Sequence, residues 1–148
     1  MQVPVADSII QKARKVINPV EMDKQKVLLV EDEEAHALLE RILLERLGFD
    51  ITICNNGEDA VREYAVHFGK YSFVMTDYTM VPMNGLELAH HLLQVNPSAI
   101  ILLCSGNDES SLIREAKKIG IRETTLKPTT REEMMNLLIS AGLYTPLE

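Results

Sequence analysis

Between residues 26 and 142 the sequence repeats one pattern five times: a short β-rich apolar run, then a segment with helical spacing. The runs are "KVLLVE", "FDITIC", "YSFVMT", "AIILLC" and a weaker "IRETTL". The first helical segment, "EAHALLERILLERLG", carries apolar residues at Ala35, Leu38, Leu39, Ile42, Leu43 and Leu47 before a stop at Gly48. The second, "NGEDAVREYAVHFG", is expected to point Ala60, Val61, Tyr64, Ala65 and Phe68 inward. "GLELAHHLLQV" ends at Asn96-Pro97, "DESSLIREAKKIG" follows, and "TREEMMNLLISAG" opens with Thr130 and Glu133 at capping-box spacing. Strict alternation requires crossover connections, hence a parallel sheet with helices on both faces. The central runs are continuously apolar, as strands covered on both sides must be. The expected fold is α/β and doubly wound, on a five-stranded parallel sheet.

The chain of 148 residues suits one compact domain, and its 46% hydrophobic content suffices for a core. Its formal charge of -7 argues against direct binding to a nucleic-acid duplex, which wants a basic face. A basic protein partner stays compatible. No run approaches the ~18 apolar residues of a membrane span, so no membrane insertion is expected. "MQVPVADSII" lacks the layout of a signal peptide, and a cytoplasmic location is expected. Cys54 and Cys104 each end an apolar run and read as small buried hydrophobes. The domain layout is read as 1–24 N-terminal helix ("SIIQKARKVI", 8–17) and linker, 25–142 the α/β unit, and 143–148 a tail.

Open α/β sheets bind ligands beyond the carboxyl ends of their strands. The first run ends in Glu31 and Asp32, the third at Asp77, the fourth in Ser105 and Gly106, and the fifth in Lys127-Pro128. Clustered acids repel and call for a cation or shifted pKa values. A hard divalent ion such as Mg²⁺, with carboxylates, waters and phosphate oxygens as ligands, answers that need. A carboxylate can also attack phosphorus to give an aspartyl phosphate, while a lysine and a hydroxyl neutralise the transferring oxygens. Each feature alone has an ordinary reading: "EDEE" as an acidic helix start, Asp77 and Ser105 as turn residues. Their convergence on one sheet edge is the signal. His36, one turn after Asp32, is read as an ordinary helix histidine bordering the acids. His90-His91 and "AKK" at 116–118 read as solvated surface, and Met134-Met135 as core.

The motifs "VLLVEDEE", "VMTDYTMVPMNGLEL", "LLCSG" and "LKP", in this order, resemble the receiver domain of two-component response regulators over about residues 25–142. The resemblance implies a flavodoxin-like strand order 2-1-3-4-5. It implies Asp77 as phosphoacceptor, taking phosphate from a histidine kinase or phosphotransfer protein. Mg²⁺ would be held by Glu31, Asp32, Asp77 and the backbone carbonyl of Thr79. Lys127 would contact the phosphoryl group, Ser105 would be the switch hydroxyl, and the Lys127–Pro128 bond would be cis. Such a domain assists its own phosphorylation and dephosphorylation but is no dedicated enzyme, and a homodimer is one expected arrangement. Three positions depart from the pattern: Glu31 where Asp is commoner, Met80-Val81-Pro82 where proline stands one place earlier, and Thr124 where a switch aromatic is frequent. Thr124 keeps a second reading open, a degenerate receiver acting as a phosphorylation-independent interaction module. An aspartate-nucleophile phosphatase would want a second Asp at position 79, which is Thr79. A flavin domain would need a hydroxyl- and glycine-rich loop in place of "EDEEAH". No output module is expected after the last helix.

Overall fold

The structure, a computed structural model, describes residues 24–106 and 110–146. The expected helix at 8–17 lies outside the described residues. Five strands alternate with five helices: β1 (Lys26–Val30), α1 (Glu34–Arg46), β2 (Asp50–Cys54), α2 (Gly57–Val66), β3 (Phe73–Asp77), α3 (Gly85–Val95), β4 (Ile101–Ser105), α4 (Ser110–Ile119), β5 (Glu123–Leu126) and α5 (Arg131–Ser140). All strand pairs are parallel, in the order β2-β1-β3-β4-β5, as the alternation and the resemblance implied. No helix among the described residues is long and apolar enough to cross a membrane.

Successive side chains of a strand point to opposite faces, so each strand feeds two cores. Leu28, Val30, Val74, Ile101 and Leu103 pack with Tyr64, Leu88, Leu92 and Leu112 from α2, α3 and α4. Val27, Leu29, Phe73, Met75, Leu102 and Cys104 pack with Leu43, Leu44, Met134 and Leu138 from α1 and α5. Strands β3 and β4 are buried along their whole length, which explains their uninterrupted apolar sequence. Cys104 is buried as expected and Cys54 half-buried, both as free thiols.

Two helix faces differ from the sequence expectation. In α1 the buried set is Ala37, Glu40, Leu43 and Leu44, while Leu38 is 55% and Ile42 38% exposed. The helix is apolar on more than one side, and the sheet takes the side that includes an acid. In α2, Ala60 and Tyr64 are buried, but Ala65 is exposed and Phe68, beyond the last helical turn, is 61% exposed. The capping box at Thr130 and Glu133 is present, and Asn84 with Glu87 forms another. Each satisfies amide donors that a helix start leaves open.

One backbone expectation is overturned. The cis peptide among the described residues is Val81–Pro82, and Lys127–Pro128 is trans. Either X-Pro bond can take the cis form at small cost, so local packing decides. Met80 is buried in the core and Val81 is 80% exposed. Lys127 instead continues the sheet, its amide donating to the Ser105 carbonyl at 2.9 Å.

The start of α3 is pressed against the end of β3. The Gly85 amide donates to the Tyr78 carbonyl at 2.8 Å. A Cβ at position 85 would press on the Asp77 carbonyl oxygen and lie 2.6 Å from a Leu103 methyl and 2.9 Å from Tyr78 Cα. At Gly106 an added Cβ would meet open space. Gly85→Ala should therefore destabilise the fold by about 1–3 kcal/mol through overpacking, with Gly106→Ala close to neutral. Chemical denaturation of the two variants checks the contrast.

Candidate functional site

The carboxyl ends of β1, β3, β4 and β5 bring Glu31, Asp32, Asp77, Ser105 and Lys127 to one edge of the sheet. In register, Asp77 stands beside Cys104 and Ser105 beside Leu126. Asp77 closes β3 and is 4% exposed. Its neighbour Tyr78 continues the ladder, the amide donating to the Cys104 carbonyl at 2.8 Å. Glu31 is 1% exposed and Ser105 4%, whereas Asp32 is exposed. Thr79 lies in the exposed loop two residues after Asp77.

Lys127 is the cation placed among these acids. Its Nζ is 2.9 Å from Asp77 Oδ2 and 3.5 Å from Glu31 Oε2. Burial alone would lower the pKa of Lys127. The hydrogen bond and charge of Asp77, joined by Glu31, outweigh it and raise the value, so the ammonium stays charged. Asp77 Oδ1 and Glu31 Oε2 are buried without a hydrogen-bond partner. Glu31 Oε1 accepts from the Glu33 amide at 3.3 Å. Burial first, and the Asp77 charge second, push the Glu31 carboxyl up to about 7.

One oxygen from each of Glu31, Asp32 and Asp77 lies within 4.8 Å of the others. Buried carboxylate oxygens lacking a donor, beside a solvent-facing carboxylate, are the donor set a hard dication takes. The residues present therefore fit Mg²⁺. Glu31 in place of the commoner Asp still delivers its oxygen to the cluster.

Sequence reasoning missed Glu40. It is 2% exposed and sits one turn after His36, with His36 Nε2 3.4 Å from Glu40 Oε1. Burial, then the Glu31 charge, pushes its carboxyl up to about 8. Burial and then Lys127 lower His36. The signal was available: Ala37, Glu40, Leu43, Leu44 and Leu47 form a helical stripe as regular as the one chosen. His90 and His91 are exposed, as expected.

A folded-state pKa above the usual carboxylate value means that the folded chain binds more protons than the unfolded chain between about pH 4.5 and 8. Stability is thus lost as pH rises through that window, by at most about 1.4 kcal/mol per pH unit for the one group. Glu40→Leu should remove this loss, so that variant and parent diverge from pH 5 to pH 8 with the variant the more stable. Urea unfolding with chelator present reads it, and parallel curves would refute a buried acid at this position.

Comparison with known proteins points one way. The family model for the response regulator receiver domain matches residues 27–139. Chemotaxis protein CheY of Thermotoga maritima is 28% identical over 105 residues, 70% of this chain and 86% of that protein. The transcriptional regulatory protein YkoG of Bacillus subtilis is 30% identical over 77% of this chain, which spans about half (49%) of YkoG. Among solved structures, a CheX–CheY–BeF3–Mg²⁺ complex from Borrelia burgdorferi superposes with a TM-score of 0.76 at 23% identity, over 80% of this chain and 89% of that one. Chemotaxis protein CheY4 of Vibrio cholerae gives 0.73 at 19% identity, over 80% and 98%.

Proposed function

The chain belongs to the response regulator receiver family, and from that premise we propose that it accepts a phosphoryl group on Asp77 and converts it into a change of surface conformation. The observation that carries this reading is the state of Asp77. It is a buried carboxylate with Oδ2 2.9 Å from Lys127 Nζ and Oδ1 without a hydrogen bond. An oxygen so placed can attack phosphorus. The donor is a phosphohistidine of a histidine kinase or phosphotransfer protein: the O–P bond forms at Asp77, the P–N bond breaks, and the imidazole leaves.

Glu31, Asp32, Asp77 and the Thr79 carbonyl would hold Mg²⁺, which would supply positive charge against the phosphoryl oxygens. Lys127 shifts from the free carboxylate to a phosphoryl oxygen, keeping its charge. Ser105, at the end of β4, donates its hydroxyl to another. Phosphate adds negative charge and strong acceptors, and the pull on Ser105 moves the segment that follows it. Residues 107–109 in that segment lie outside the described residues. Thr124, half-buried on β5, is too small to fill space as a rotating aromatic would, so the response is concentrated between Ser105 and Ser111. Residues 25–142 form the receiver unit, a signalling module in the cytoplasm rather than a dedicated enzyme, and a homodimer is compatible with it.

Incubation with a small phosphodonor and Mg²⁺ should add one acid-stable, base-labile phosphoryl group, read by intact mass. Asp77→Asn should show no addition; an undiminished mass shift there moves the chemistry elsewhere, and no addition to the parent chain leaves the interaction-module reading.

The metal is tested separately. Asp32→Ala should abolish Mg²⁺ binding in a calorimetric titration, whereas Glu31→Asp should keep it. Normal affinity in Asp32→Ala would overturn the ligand assignment.

A further inference from the structure

Behind the acid edge lies a second donor set, of which phosphoryl acceptance uses Glu31 but neither His36 nor Glu40. Glu40 puts a carboxylate on the buried, otherwise apolar face of α1. His36, four residues earlier, is on the same helix face. One ligand atom each from Glu31, His36 and Glu40 lies within 4.8 Å of the others. His36 Nε2 is buried with no hydrogen-bond partner, although Glu40 Oε1 is only 3.4 Å away. Glu31 is 1% exposed, and its Oε2 is buried without a hydrogen bond, with the Lys127 ammonium at 3.5 Å.

We propose that Glu31, His36 and Glu40 form a second cation site, overlapping the Glu31–Asp32–Asp77 set only at Glu31, for a borderline transition-metal dication of the Zn²⁺ type. The donor chemistry makes the choice. An imidazole nitrogen with two carboxylates suits Zn²⁺ and its neighbours, whereas Mg²⁺ takes oxygen ligands in octahedral array. Bonds of ~2.0–2.1 Å in a tetrahedron place ligand atoms roughly 3.3 Å apart. The His36–Glu40 separation of 3.4 Å matches that edge while failing as a hydrogen bond. A dication would also supply the counter-charge that Glu40 lacks, at the cost of releasing its proton. Glu31 belongs to both sets, so loading one draws on a ligand of the other, and Zn²⁺ should weaken Mg²⁺ binding.

The site does not depend on Asp77 being phosphorylated, and the experiment keeps the two apart. Zn²⁺ is titrated into the chelator-stripped full chain by calorimetry, with Co²⁺ absorption as a readout of four-coordinate geometry. One saturable site is expected. His36→Gln and Glu40→Gln should each weaken it by about 10-fold or more and remove the Co²⁺ bands, while Asp32→Ala and Cys54→Ser leave it unchanged. Unchanged affinity in both glutamine variants, loss in Asp32→Ala or Cys54→Ser, or no saturable binding by the parent chain overturns the proposal.

Discussion

Glu31, Glu40 and Asp77 are three buried acids near one ammonium, and burial pushes the pKa values of Glu31 and Glu40 well above the usual carboxylate range. Lys127 reaches Asp77 at 2.9 Å and Glu31 at 3.5 Å, which leaves negative charge in a site largely shut off from water. Desolvating ions without full pairing opposes folding. The burial of β1, β3 and β4 between two helical layers offsets it. The same strands fix the acids in place: Asp77 and Glu31 stand at the ends of rigid, fully packed segments, so they cannot relax apart to reduce their repulsion. What is unfavourable for the resting chain is what fits the edge to the cation and the phosphoryl oxygens proposed for it.

The architecture was legible because its signals are periodic. Alternating runs and stripes define the strands and helices, and parallel crossovers then restrict the pairing. The strand order itself came with the resemblance, and the observed sheet agrees. Lys127, Asp77 and Glu31 were legible for a different reason. Polar residues that end apolar strands have little structural use, so their positions identify an edge.

The face of α1 was not legible. With Leu38, Leu39 and Ile42 on one side and Ala37, Leu43 and Leu44 on another, periodicity allows two phases. The acid in the second stripe argues for the wrong one. Phe68 misled because it lies past the end of α2, where helical spacing no longer says which way a side chain points. The displaced proline is a third case. Its shift to position 82 leaves Met80 in the core with Val81 in water, a division that composition does not reveal.

The sheet also works as a partition. Its two cores share no side chain, because each strand residue faces one layer or the other. Substitutions in the α1–α5 layer and in the α2–α4 layer therefore meet only through the backbone, and such separated changes combine almost independently. A lineage can remodel one layer to suit a new neighbour while the other drifts under its own constraints. Asp77, at the end of β3, belongs to neither cluster.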